Sequence, residues 1–567
     1  MKTILRLVFA FCAFAFLFSS CSKKSNVGKM IPNTAMFVAQ INTKSLNEKV
    51  SLNDIKQTSW YKKVYSDSSA PEWRKKILDN PEASGIDLNS GLTFFVDKAS
   101  GSDFYMALEG TLKSEKDFEQ FNKNFDSAQT VRKSGDLSLI TFKDKNVVAW
   151  NDNHFVYLMS SFSNPSSMYQ MNDSSNQQQP NLPVDRSAEL SAISIKLFSL
   201  NSDSSLEKNE KFASLLDETG DLHFWQNTEQ IMKSSPSMGM LGMLKLDAFF
   251  KDNISTYTVN FDMGKIEVNQ KGYAGKELTD LMKKNLVGKI NTDMIKNIPS
   301  QNVFAVFASN FKPEGIRELL KLTGTDGFVN MYAQQRGFTL DDVVKSNNGE
   351  LMVAFTDFKM KSDSFNYKDN SGNGPTGSGN FSKPDFNFIF SLGIGDKASL
   401  QKLINAGKKM GSQFGKDSMV NNDMNDKTFA VSNSTVFAKQ YLAGGNNKYD
   451  FTDKISGHPI GMFIDFHKII SALATGNSTN PESKQMIDQS LKIWNNLYVT
   501  GGDYTDGAFT AKTEINLVDQ NTNSLQQLNN YFNEMYQLHE AKKSNDAHGH
   551  NLDSLLTPPP IDTVKVK

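Results

Sequence analysis

Apolar residues fall mostly into short runs separated by polar turns. Ala35 to Ile41, Leu92 to Val96, Phe104 to Leu108, Val147 to Trp150 and Phe155 to Met159 are rich in Phe and Val, and the first of them partly alternates. Such runs predict strands, in which side chains two apart share one face. Gly or Asn-Asp-Asn separates several of them, as at Asn151-Asp152-Asn153, which predicts hairpins. Ser114 to Phe125 is different. Phe118, Phe121 and Phe125 recur at i, i+3 and i+7, one face of a helix, with Ser114 placed as N-cap. Asp396 to Met410 repeats the arrangement, with Asp396 as cap and Leu400 and Leu403 inward. Strand runs and helices alternate irregularly, so the expected class is α+β with antiparallel sheets rather than a doubly wound parallel fold.

The pattern occurs twice. IPNTAMFVAQIN from Ile31 and IPSQNVFAVFAS from Ile298 each place a Phe on an apolar strand, 267 positions apart. GLTFFVDK from Gly91 parallels GELMVAFTDFK from Gly349. Asp103-Phe104 and Asp385-Phe386 open strands 282 apart, and the same offset pairs Phe118 with Leu400, Phe121 with Leu403, Lys145 with Lys427, Asn151 with Asn433 and Phe155 with Phe437. Leu222 to Ile231 matches Ile460 to Ile469 at offset 238, and Gly264 and Gly507 open matching strands at offset 243. Changes of offset require insertions, and composition supplies two: Asp369 to Asn380, and the Asn-, Gln-, Ser- and Pro-rich stretch Ser161 to Ser187. The expected organisation is two tandem related halves, residues 31–290 and 298–540, each mostly antiparallel sheet with packed helices. Beyond His539 the periodicity fades, and residues 542–567, with three consecutive prolines, are expected to form a disordered tail.

Ahead of the first half, Lys2 and Arg6 precede an apolar run from Ile4 to Phe18. The run is shorter than the roughly 20 residues of a membrane span and suits a signal peptide. It ends in Ser19-Ser20-Cys21, which resembles a bacterial lipobox with Phe18 where Leu is usual. The resemblance implies a lipoprotein signal peptide over residues 1–20, lipidation of Cys21 and a tether over residues 21–30. Several acyl chains on one residue hold a protein stably to a bilayer. By resemblance to other lipoproteins, the absence of Asp after Cys21 points to the outer membrane, periplasm-facing ahead of surface-exposed.

Composition narrows the functional classes. The chain has 567 residues, 41 of them Phe, and a net charge of −1, which argues against a nucleic-acid partner held by a basic field. Two Cys rule out a disulfide framework and Cys-based metal sites. No cofactor or metal is expected. Gly372 to Gly377 matches G-x-G-x-x-G, but Pro375 and its polar neighbours make a loop rather than a phosphate cradle. His548 and His550 lack a fixed third ligand, and Asp465 with His467 reads as a helix cap before an acid–base pair. With no G-x-S-x-G elbow, the expectation is a non-enzyme. Met232, Met238, Met240 and Met243 form either adaptable core or a surface for an apolar ligand or partner. Ser554 and Thr563, each after Asp and before an apolar residue, resemble acceptors of envelope O-glycosylation, as do Ser127 and Ser418.

The lipobox, the IPNTAMFVAQINTKSL opening, the QTSWYKKVYSD segment and GIDL together resemble a family of uncharacterised Bacteroidota lipoproteins described only as a domain of unknown function. The resemblance implies an envelope lipoprotein and no known reaction. The reading is a lipid-anchored cell-envelope protein with a binding or structural role, touching the membrane through its lipid and an envelope protein or apolar ligand elsewhere. The alternatives are a carrier or sensor of an apolar ligand held between the halves, and a hydrolase with an unrecognised site.

Overall fold

The computed structural model describes residues 27–66, 72–100, 103–125, 130–160, 185–234, 247–367, 377–411, 421–476 and 481–553. The fold is α+β. Ten strands come first: β1 (Phe37–Ile41), β2 (Leu92–Lys98), β3 (Phe104–Thr111), β4 (Arg132–Ser134), β5 (Leu137–Thr141), β6 (Val147–Trp150), β7 (His154–Ser160), β8 (Leu222–Asn227), β9 (Ile254–Asp262) and β10 (Lys265–Tyr273). Eight follow: β11 (Val303–Asn310), β12 (Asn347–Tyr367), β13 (Gly377–Ile394), β14 (Asn421–Met424), β15 (Thr428–Ser432), β16 (Ile460–Asp465), β17 (Trp494–Thr505) and β18 (Ala508–Leu517).

All strand pairs are antiparallel, and they form one sheet. Pairing runs β4-β5-β6-β7-β3-β2-β1-β8-β9-β10 through the first ten strands. It crosses from β10 to β18 and continues β17-β16-β11-β12-β13-β15-β14. The order β3-β2-β1-β8-β9-β10 is therefore met in the second stretch as β13-β12-β11-β16-β17-β18. Register sharpens the correspondence. Val38 lies opposite Phe95 and Phe95 opposite Ala107, while Val306 lies opposite Ala354 and Ala354 opposite Ile389. A register shift between Val303 and Ala305 displaces β11 by one residue relative to the alignment of the two Ile-Pro motifs. Gly91 and Gly349 both have positive φ, at 79° and 100°, and in each case an added Cβ would strike a carbonyl oxygen, of Ile41 or of Phe311. Only glycine fits such an approach.

One expected match does not hold. Phe155 is on strand β7, whereas Phe437 is in the helix Thr435–Leu442. The cause is local. HFVYLM alternates and is rich in strand formers, but TVFAKQYL spaces Phe437 and Tyr441 by four behind the Ser434 cap, whose Oγ accepts from the Phe437 amide at 3.3 Å. In the sheet it is β15 that takes the place beside β13 that β7 takes beside β3.

On one face of the first stretch, Val38, Phe95, Ala107, Leu158 and Trp225 are buried under Leu190 and Leu197 of the helix Ser187–Phe198 and Phe212 and Leu215 of the helix Glu210–Leu216. On the other face, Phe118 of the helix Glu115–Phe125 packs edge-on against Trp150 and beside Phe155, with ring centroids 5.7 and 5.0 Å away. Val306, Ala354, Ile389 and Phe463 form the second core with Phe437, Tyr441 and Phe451. At the seam, Ile266, Ile493, Leu517 and Leu528 make a further packed cluster. The sheet's outer edges are β4, all exposed and carrying Arg132 and Lys133, and the polar β14, which discourages further pairing.

The last helix spans Ser524–Asp553, so residues 542–553 are helical where a disordered tail was expected. Its docked part lies ahead of residue 542: Asn533 Oδ1 accepts from the Ser59 amide, Gln537 donates to Ser59 Oγ, and Glu540 pairs with Lys63. Residues 554–567 lie outside the described region.

Candidate functional site

Strand alternation places Thr93, Phe95 and Asp97 of β2 on one face. Phe95 joins the core. Asp97, two residues on, comes out at the core's edge, where a cavity of about 600 Å³ opens. The cavity's walls come from the segment before β1 (Pro32 to Thr34), the end of β2 and the residue after it (Lys98, Ala99), the helix Ser187–Phe198 with the chain after it, and Gln230 and Ser234 at the helix Thr228–Lys233.

Asp97 is only 5% exposed. Its Oδ2 accepts from Thr34 Oγ1 at 3.1 Å and from the Tyr105 hydroxyl at 3.3 Å. Its Oδ1 is buried and has no hydrogen bond of ordinary geometry. Burial pushes the carboxyl above the usual Asp range, against the Lys98 amide, Thr34, Tyr105 and more distant Lys196, which pull it down. Tyr105 is raised as well, by burial first and by the Asp97 charge second. An unpaired buried carboxylate oxygen costs free energy until a donor reaches it.

The corresponding place in the second stretch is satisfied. Thr356 lies where the register puts Asp97, and Asn387 where it puts Tyr105. The neighbouring carboxylate, Asp357, accepts from Ser300 Oγ and Thr356 Oγ1 at 2.7 Å each and from Asn387 Nδ2 at 3.1 Å. Burial raises its pKa, but those bonds outweigh it and leave the carboxyl below its ordinary value.

At the opposite end of the same core, a polar row crosses five strands. Glu109 stands opposite Thr93, Thr93 opposite Gln40, Gln40 opposite His223 and His223 opposite Thr258. His223 Nε2–H donates to the Glu218 carbonyl at 2.9 Å, and Nδ1 meets the Gln40 side-chain amide at 2.8 Å. Thr258 Oγ1 donates to the Glu218 carboxylate, which also pairs with Lys271. Glu109 is 6% exposed, and burial pushes its carboxyl up to about 8. Both His223 nitrogens are engaged, so the ring acts as a structural tie. By register the same row in the second stretch reads Ser391, Met352, Ala308, Gly461 and Thr500, with no ionisable side chain and no polar side chain at its three middle positions.

Of the residues singled out from sequence, Met232 lies in the helix Thr228–Lys233, between the cavity-lining Gln230 and Ser234. Met238, Met240 and Met243 lie outside the described residues, as do Cys21, Ser127, Ser418, Ser554, Thr563 and most of the Gly372–Gly377 motif. Asp465 caps the helix Phe466–Gly476 by accepting from the Lys468 amide at 2.8 Å, and Asn227 caps the helix Thr228–Lys233 through the Gln230 amide at 3.1 Å. His458 Nδ1 meets Asp503 Oδ2 at 2.5 Å, half-exposed, and ties the start of β16 to the irregular stretch of β17. Among the described residues no cluster of three His, Cys, Asp or Glu could hold a metal, and no helix is long and apolar enough to cross a membrane. Asp97, Thr34, Tyr105 and Glu109 were not anticipated. The available signal was an acid at an inward, alternating position of a predicted strand.

A solved structure described as "Structure of crystal form III of TP0453" is similar over 44% of this chain and 79% of that one, at 9% identity and a TM-score of 0.23, a score from which nothing about the fold follows. Among curated proteins none matches. The family model described as a domain of unknown function, DUF4836, matches residues 27–368. That match takes in the cavity, Asp97 and the polar row, and the chain belongs to the DUF4836 family.

Proposed function

We propose that this protein is a lipid-anchored, non-catalytic binding protein of the cell envelope, built from two related halves, which holds a small polar ligand in the Asp97 cavity. The observation that carries the binding reading is a cavity of about 600 Å³ with Asp97, a carboxylate 5% exposed whose Oδ1 is unpaired, among its lining residues. That volume falls in the range of roughly 300–1,000 Å³ usual for small-molecule sites. Duplication is supported by the shared strand order, by the matched register at Val38 and Val306, and by the equivalent caps Asn227 and Asp465. Non-catalytic use is supported by His223, whose two ring nitrogens already serve the fold.

Native mass spectrometry of the full chain purified from its own envelope tests the binding. The wild type is expected to carry a small-molecule adduct that Asp97→Leu lacks. Bare wild-type protein, whose melting is shifted by an envelope extract no more than the variant's, refutes it. The anchor has its own test. Cys21→Ala should move the protein from the membrane pellet to the soluble fraction, and an unchanged distribution refutes lipidation at Cys21.

A further inference from the structure

The cavity has an ordered charge pattern. Its one carboxylate, Asp97, is deep and 5% exposed, while Lys98 and Lys196 line the same space and are exposed. Lys196 is close enough to act electrostatically on Asp97, yet neither lysine forms an ion pair among the described residues. In an empty site of fixed shape, an anion inside and free cations outside favour a guest with the reverse order. Met36, Ile193, Leu197 and Leu200 supply apolar wall between the two levels.

We infer that the cavity takes a small zwitterion, a peptide of two or three residues with apolar side chains, its ammonium at the Asp97 carboxylate and its carboxylate at Lys98 and Lys196. This rests on the binding reading above and specifies its ligand. An ammonium beside the Asp97 carboxylate offsets the buried charge. A carboxylate at the mouth meets two flexible, solvated ammonium groups, a weaker but orienting contact. The second half offers no equivalent place, because Asp357 is already bonded by Ser300, Thr356 and Asn387. The stoichiometry is therefore one ligand per chain.

Isothermal titration of the full chain with leucyl-leucine, its N-acetyl derivative and its C-terminal amide tests the assignment. Leucyl-leucine should bind one to one. N-acetylation should weaken it at least tenfold, and amidation several-fold. Lys98→Gln with Lys196→Gln should cost leucyl-leucine the same several-fold while leaving the amide unaffected, a coupling that misfolding does not imitate. Equal binding of the N-acetyl derivative overturns the ammonium assignment. If no dipeptide binds but the purified wild type still carries an Asp97-dependent adduct, the zwitterion class fails and the binding reading stands. If neither is seen, both fail.

Discussion

Replacing Glu109 with Gln removes a buried group that titrates but keeps its shape. Glu109 is 6% exposed, and burial moves its carboxyl from an ordinary 4.5 to about 8. The sign follows from linkage. A carboxyl whose pKa is raised by folding prefers its proton in the folded state, so its contribution is most favourable below pH 4.5. That contribution is lost as pH rises towards 8 and is level above it. The glutamine side chain mimics the protonated form at every pH. The stability advantage of Glu109→Gln should therefore be near zero at pH 4.5 and grow by about 1.4 kcal/mol per pH unit. At pH 7 it should reach roughly 3 kcal/mol, an upper figure because buried carboxylates relax and admit water. Paired urea denaturation of both proteins from pH 4.5 to 8.5 measures it, since other groups cancel in the difference. A difference that stays flat across that range refutes the assignment of Glu109 as a buried, protonated member of the row.

Three further outcomes follow from the packing and charges. Phe463 is 6% exposed and stacked 4.4 Å from Phe451, so Phe463→Ala should cost about 3–5 kcal/mol in chemical denaturation. Asn227→Ala and Asp465→Ala each remove a helix cap and should cost about 1 kcal/mol apiece, additively because the sites are distant, as a double-variant melt would show. At the seam, burial raises the Glu267 pKa, but Lys512 and Lys265 outweigh it and hold the carboxyl at about 2. Its stabilising contribution is complete above pH 4.5 and lost as pH falls towards 2, so Glu267→Gln should narrow the acid-induced drop in melting temperature over that window.

Much of the fold was legible where local physics decides it. The i, i+3, i+7 phenylalanines after Ser114 became the helix Glu115–Phe125, with Phe118 fully buried and Ser114 Oγ accepting from the Asp117 amide. Asp396 caps the helix Lys397–Gly411 through the Ser399 amide. Strand β6 has the bounds its apolar run predicts. Less local features were not legible. Strands β10 and β18 join through backbone groups, eight residue pairs from Lys265–Asn516 to Gly272–Phe509, and no side-chain pattern announces which distant edge a strand will meet. The register shift in β11 likewise leaves no mark in IPSQNVFAVFAS, because one extra residue in an apolar run looks like the run itself. The last helix runs on from its docked part, which ends at Glu540, as far as Asp553, and no apolar periodicity beyond His539 marks that continuation.

The candidate site lay beyond a motif search for a related reason. Asp97 and Glu109 are single acids inside FFVDK and MALEG, where an isolated charge normally marks the solvent face. Alternation places them on the same side as Phe95 and Ala107, so each must be buried or stand at a core edge. The register sets Asp97 against Thr356, Thr93 against Met352, Gln40 against Ala308 and His223 against Gly461. Stability alone favours the second set, since buried polar groups gain little over apolar packing and cost much when unpaired. The first stretch keeps the costlier set, with Asp97 lining a cavity and its Oδ1 unpaired, while Asp357, next to the matching Thr356, has both carboxylate oxygens bonded. The proposed ligand at the Asp97 carboxylate would supply a use other than stability for the costlier set, and the contrast between the two stretches is the reason to look for it there.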